Sequence, residues 1–439
     1  MTETTKIKDR DKDTILRALR AGVVPVRGLQ HVQVGRAGEV QALLEDVEGI
    51  AGGGAAIRFV IGQFGAGKTF FLHLVRAIAL EKKLVCLHAD LTPDRRLQGS
   101  GGQARALYNE LAKNMATRAK PEGGALASVV ERFVSGALQE ARAAEQDPEE
   151  VIHQKLAALS EMVGGYDFAA VVAAYWRGHD QGDEELKSAA VRWLRGEYAT
   201  KSEARSALGV RTIVDDAAFY DHLKLLARFV RLAGFNGLFV CLDEMVNLYK
   251  LTNTKARNSN YEQVLRVLND VLQGSVEGLG FLMCGTPELL QDPRRGLYSY
   301  EALETRLAEN RYADAEMVDL SGPVIRLAGL SREDLLVLLG KLRHVYAGGD
   351  PTRYLVPDDA LTAFMTHCEE RIGEAYFQTP RATVREFVNL LAVLEQNPGT
   401  DWRALVGRVQ LGDEESAGAT DDASPGADAG DDELASFQL

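Results

Sequence analysis

Cysteine is scarce in this 439-residue chain, and the placement of its four copies excludes several classes of protein. Cys86, Cys241, Cys284 and Cys368 stand far apart. No pair has zinc-ligand spacing, and nothing resembles the framework that staples a small secreted domain. Three of them fall inside short apolar runs, which suits reduced thiols packed as small hydrophobes. Long hydrophobic runs are also missing. None approaches the ~18 apolar residues of a membrane span, and the polar start MTETTKIKDRDKDT lacks the apolar segment of a secretory signal. No fixed-period repeat is visible. These absences predict a cytoplasmic protein with no membrane partner. Hydrophobic content of 46% and charged content of 26% are ordinary for a globular chain. The length suits two or three domain-sized units. The net charge of −13 says little about partners, because residues 412–439 hold nine Asp or Glu and no Lys or Arg. Removing those nine acids from −13 leaves about −4 for the remainder, which neither points to nor excludes a local basic patch.

The most informative stretch is Ile57 to Thr69, IRFVIGQFGAGKT. An apolar, β-branched run leads into a loop with Gly62, Gly65 and Gly67. Lys68 and Thr69 then open FFLHLVRAIAL, which has helical periodicity. The spacing Gly62-x-x-x-x-Gly67-Lys68-Thr69 is that of a phosphate-binding P-loop in its strand–loop–helix setting. Glycines let backbone N–H groups converge on phosphate oxygens, and the helix N-terminus favours an anion. Lys68 would reach the β- and γ-phosphates of ATP, and the Thr69 hydroxyl would ligate Mg²⁺.

Around this loop the chain reads as an α/β protein. Residues 1–30 form a leader with one helix, TILRALRAGVV, ended by Pro25. Val32 and Val34 suggest a short extended piece, and Glu39 to Ile50 a helix. LVCLHAD (84–90), GLFVCLDEM (237–245), LGFLMCGTPEL (279–289) and PVIRLAGL (323–330) are further strands. Their alternation with helices predicts a parallel five-stranded sheet. Residues 95–235 hold helical patterns and no convincing strand, a long helical insertion within the nucleotide-binding domain of 31–330. Residues 331–411 read as a helical lid domain. Residues 412–439 form an acidic tail with too little apolar surface to fold alone.

LFVCLDE supplies the partner of the P-loop. Asp243 and Glu244 fall at the carboxyl end of an apolar strand, expected beside the P-loop strand, where α/β sheets bind ligands. Asp243 would help hold Mg²⁺, and Glu244 would orient and deprotonate a water. The adjacent glutamate favours hydrolysis over transfer to a small acceptor, so a small-molecule kinase is the weaker reading. Thr286, ending the next strand, either contacts the γ-phosphate or serves as a turn residue before Pro287. Two basic stretches could follow a phosphate backbone. One runs from Lys187 to Arg211 with Trp193 and Tyr198, and its acids dilute it. The other carries Lys250, Lys255 and Arg257. Trp176 and Trp193 read as core.

The order of these motifs resembles the AAA+ ATPases, especially the branch of origin-recognition and signalling NTPases. Taken whole, residues 15–410 resemble the BREX-system ATP-binding protein family (BrxD), through VPVRGLQHVQVGR, IGQFGAGKTFFL, LDEM, CGTPEL, LETRL and QTPRATVREFVNLL. The resemblance implies ATP contacts from Gly62, Gln63, Phe64, Gly65, Ala66, Gly67, Lys68, Thr69 and Phe70, with Arg36 in the segment that precedes the P-loop. It implies sensor 1 at Thr286, an arginine finger at Arg306 and sensor 2 at Arg381. An arginine finger acting in trans implies a homo-oligomer. Such proteins are encoded in bacterial anti-phage loci, often near a helicase, which implies a helicase or another defence-system protein as partner, and DNA transactions. The rival reading is a nucleotide-dependent switch or assembly scaffold with little turnover.

Overall fold

The structure is a computed structural model that describes residues 7–312, 318–372 and 380–408. The acidic tail of 412–439 lies outside the described residues. The chain divides into two compact units, Val24–Leu338 and Met1–Val23 with Leu339–Leu439. The first helix, α1 (Asp9–Arg20), thus groups with the C-terminal unit rather than standing as a leader to the nucleotide-binding part. No strand forms at Val32 and Val34; a single 3-10 turn at Leu29–His31 stands there instead.

The larger unit is built on five parallel strands among the described residues. They are β1 (Ala55–Gly62), β2 (Leu84–Asp90), β3 (Gly237–Asp243), β4 (Leu279–Gly285) and β5 (Val324–Leu327), in the order β2-β3-β4-β1-β5. The strand carrying Asp243 is therefore not the neighbour of the P-loop strand. β4 lies between them, with Ile61 opposite Gly285 on one side and Leu242 opposite Met283 on the other. Strand order is set by where crossovers land, which chain order does not reveal. The Asp243 side chain bridges the gap from the strand tip.

Alternation along the strands builds two cores. Val60, Cys86, Phe239, Cys241, Leu282 and Ile325 face α2 (Ala37–Ala51) and α3 (Lys68–Glu81). The other face, including Phe59, Val85, Leu87, Val240 and Phe281, packs against the helices that separate β2 from β3. These are α4 (Gln103–Lys113), α5 (Leu126–Ala144), α6 (Pro148–Ser160), α7 (Gly165–Gln181), α8 (Glu184–Leu194), α9 (Lys201–Leu208) and α10 (Phe219–Leu232). Their apolar side chains belong to the same continuous core as the sheet face, so the insertion is part of the domain's interior. Trp193 and Trp176 are 1% and 8% exposed, and the Trp193 indole donates to Thr212 O at 2.8 Å. With Tyr198 also buried, the first basic stretch offers no stacking platform. Local chemistry sets the helix starts. Asp147 caps α6 by accepting from Glu149 and Glu150 N–H, with Pro148 in the first turn.

After β3 come α11 (Val246–Tyr249) and α12 (Thr254–Leu272). After β4 come α13 (Pro287–Gln291) and α14 (Glu301–Leu307). A buried arginine stitches the sheet to its flanks. Arg58 on β1 donates to both oxygens of Asp46 on α2, at 2.6 and 2.9 Å, and to the carbonyls of Leu320 and Gly322 ahead of β5. α15 (Arg332–Tyr346) runs across the division between the units. The smaller unit adds α16 (Asp358–Ile372), α17 (Pro380–Gln396) and α18 (Trp402–Val406), with α1 against α17 and Phe364 packed on Phe387 at 5.2 Å. Among the described residues no helix is long and apolar enough to cross a membrane.

Candidate nucleotide-binding site

The loop between β1 and α3 is shaped by its glycines. Gly67 has φ +83°, a left-handed conformation that caps α3 without strain only for glycine. A Cβ on Gly62 would press on Leu327 O at 3.1 Å, so that position needs glycine for close approach to β5. Lys68 opens α3, and its ammonium folds back to donate to Gly62 O and Gln63 O, both at 2.9 Å. Partial burial pulls its pKa down, and the carboxylates of Asp243, Glu244 and Glu288 oppose the shift. Ala66 is buried, while Phe64 is 66% exposed and Gln63 lies at the surface. Gly65 and Phe70 are half-buried.

Arg36 enters from the other side of the loop. Its Nη2 donates to Ala66 O at 2.6 Å and to Ala328 O at 3.1 Å, and its backbone is left-handed at φ +59°. In this arrangement the guanidinium grips the P-loop backbone.

At the tip of β3, Asp243 is 3% exposed, and its two oxygens do different jobs. Oδ2 accepts from Thr69 Oγ1 at 2.7 Å, and Oδ1 accepts from Glu244 N–H at 2.8 Å. Glu244 sits at φ +55°, which a glutamate adopts only when its surroundings hold it there. Its side chain remains exposed, yet partial desolvation and then Asp243 push its carboxyl above the usual range. The hydroxyl of Thr69 and the carboxylate of Asp243 are hard oxygen donors that meet where a Mg²⁺ ion would be held, so the residues fit that ion. Thr286, next to Gly285 in register with Ile61, starts α13 without capping it; its Oγ1 is buried and has no partner among the described residues. A buried, unmet hydroxyl at the strand tips is suited to a γ-phosphate oxygen or its water.

Residues 7–410 match the family described as BREX system ATP-binding protein BrxC/D. The chain belongs to this family. Among curated proteins none matches it. Membership makes the chain an ATP-binding protein of the BREX system.

The structure places the remaining candidates of this BREX-system ATP-binding protein less uniformly. Arg306 lies half-buried on α14, where its Nη1 donates to Ala302 O of the same helix at 2.8 Å. Arg381 is exposed in the first turn of α17, in the smaller unit, close to Gly22. Lys250 and Lys255 are exposed. Arg257 is not available to a nucleic acid. It is 6% exposed and donates to Leu251 O at 2.8 Å and Thr254 Oγ1 at 3.4 Å, so it shapes its own loop. The local sequence is polar throughout, which hides the inward turn of this one side chain. Sequence reading also passed over Asp90. It ends β2 in register with Asp243, and burial first, then Asp243, raises its carboxyl. An acid closing an apolar strand was the available signal.

Proposed function

We propose that this protein is an AAA+ ATPase that hydrolyses ATP with Mg²⁺, works as a homo-oligomer, and serves bacterial anti-phage defence. The observation that carries the reading is the forked use of Asp243. One oxygen is joined to the P-loop threonine, and the other fixes Glu244 in a left-handed turn beyond the strand tip. The strand order β2-β3-β4-β1-β5, with Thr286 directly following the central β4 between the P-loop and Asp243 strands, supports the AAA+ assignment.

The chain's own groups divide the work. P-loop N–H groups and Lys68 bind the phosphates, the ammonium leaving two carbonyls to do so. Thr69 and Asp243 would hold Mg²⁺, which when bound would supply neutralisation of phosphate charge. Glu244 orients a water and takes its proton. Its raised carboxyl makes it a stronger base than an ordinary glutamate. Thr286 positions the γ-phosphate or that water. Arg306 from a neighbouring subunit and Arg381 from the lid of 331–411 stabilise the charge that develops on phosphoryl transfer. A helicase or another defence-system protein is the partner on which the cycle acts.

The test is phosphate release by the wild type and by Glu244→Gln. Hydrolysis should fall by a factor on the order of 10²–10⁴, with ATP still bound. A wild type without turnover, alone or with duplex or single-stranded DNA, overturns the hydrolase reading and leaves the switch. Light scattering with and without a non-hydrolysable ATP analogue tests the trans role of Arg306, which a persistent monomer removes.

A further inference from the structure

Thr69, His73 and Arg76 follow one another on α3 at steps of four and three residues, so they share a face of that helix. Asp90, His88 and Cys86 alternate along the side of β2 that meets it. Between them runs a polar column. The His73 and His88 rings are 5.2 Å apart, His88 Nε2 lies 3.6 Å from Asp90 Oδ1, and Cys86 Sγ lies 3.8 Å from Arg76 O. At its foot is a cavity of about 230 Å³ whose wall includes Arg27, Arg76, His88, Asn114 and Glu122.

Arg76 is out of balance there. The residue is half-buried, its Nη2 donates to Pro121 O at 2.6 Å, and its Nε is buried with no acceptor among the described residues. Among the described residues no carboxylate forms an ion pair with it. The acids around the cavity and the column are engaged elsewhere: Glu122 with Arg27, Glu110 with Arg95 and Asn114, and Asp90 against His88. Among the described residues, His88 Nε2 and His73 Nδ1 are also buried without a hydrogen-bond partner. Burial keeps both imidazoles neutral near pH 7, so they add hydrogen-bonding capacity without charge. Interior cations are normally paired, because an unpaired one loses solvation without return.

We infer that this cavity is a second anion site, and that the missing counter-ion of Arg76 is a phosphate or phosphate-monoester group. Arg76 and Arg27 both line the cavity, and two guanidiniums suit tetrahedral oxyanions. Glu122 opposes an incoming anion, but its side chain is 55% exposed and its bond to Arg27 is a surface pair, so it yields at small cost. The site is separate from the P-loop. Arg76 lies seven residues beyond Thr69, about 10 Å along α3. An occupant therefore sets the charge on the P-loop helix without touching the nucleotide, and the inference does not rest on ATP hydrolysis.

The test uses the full-length protein with Lys68→Ala, which silences the P-loop. Calorimetric titration with inorganic phosphate should give one saturable site per chain, weakened about tenfold or more by adding Arg76→Gln and more mildly by Arg27→Gln. Ribose 5-phosphate distinguishes the source of the group. Tighter binding than inorganic phosphate assigns a sugar phosphate, and equal or weaker binding assigns the free ion. No saturable phosphate, or equal affinity with and without Arg76→Gln, overturns the site. Selenate soaked into crystals of the Lys68→Ala protein gives a readout that needs no second variant. An anomalous peak beside the Arg76 guanidinium is expected, and water alone there refutes the inference.

Discussion

Replacing Lys68 with alanine should weaken ATP binding by an amount that the lysine's own hydrogen bonds to the loop limit. Unit charges about 4 Å apart attract by about 4 kcal/mol at an effective dielectric near 20, a fair value for this half-buried ammonium. The ammonium is not idle before ATP arrives. It donates to Gly62 O and Gln63 O at 2.9 Å each, and both bonds must be given up. Two such bonds are worth about 1–2 kcal/mol net, which leaves about 2–3 kcal/mol for the exchange. Lys68→Ala should therefore raise the dissociation constant of a fluorescent ATP analogue about 30- to 150-fold. A lysine unengaged in the free state would give nearer a thousandfold. The assay is an equilibrium titration with Mg²⁺ present, alongside urea unfolding of the variant without ATP, which should lose about 1–2 kcal/mol with the two bonds. A dissociation constant within threefold of wild type would refute the role of Lys68. A loss beyond a thousandfold would refute the exchange.

Three further substitutions separate function from packing. Thr286→Val removes an unpartnered buried hydroxyl at constant shape; stability should hold or rise slightly while turnover drops about tenfold, and a fall in stability with turnover intact would mean Thr286 is only a turn residue. Asn260 is fully buried and clamps the backbone of Gln98, accepting from its N–H at 2.9 Å and donating to its carbonyl at 3.0 Å. Asn260→Ala should thus cost about 2–4 kcal/mol in urea unfolding, since two backbone groups lose their partners. His73 is held down to about 4, by burial first and then by His88 and Arg76. Between pH 6.5 and that value the unfolded chain takes up a proton that the native state refuses, so stability falls as pH drops through this window. The slope is about 1.4 kcal/mol per unit, and His73→Gln should flatten it by one proton. Parallel pH profiles for variant and wild type would show that His73 is not buried as described.

What the sequence disclosed followed the range of each interaction. The strand, loop and helix around Gly62–Thr69 were plain because the apolar run, the glycines, Lys68 and Thr69 are contiguous. The parallel five-stranded sheet was plain because each strand is a short apolar run between helices. The position of β4 between the P-loop and Asp243 strands was not, since pairing such as Ile61 with Gly285 depends on residues more than two hundred positions apart. The placement of α1 with the C-terminal unit escaped for the same reason. Arg257 misled because a polar loop gives no periodicity by which to tell an inward guanidinium from an outward one. The tryptophans of the insertion were read correctly as core because apolar neighbours at helical spacing surround them.

The continuity of the core through β2, β3 and the helices between them limits how such a protein can change. Those helices cover the very face that carries Val85, Leu87, Val240 and Phe281, so trimming them would strip the sheet and leave no reduced version to fold. Shuffling by recombination between β2 and β3 is barred in the same way, because a foreign segment would need matching side chains along the whole face. Diversification for new partners is left to helix tips and connecting turns such as Glu161–Gly165, where Val163 stands 71% exposed. Within one lineage the surface can drift while the interior stays frozen, and a partner's pull on that surface bears on the strands that end in Asp90 and Asp243.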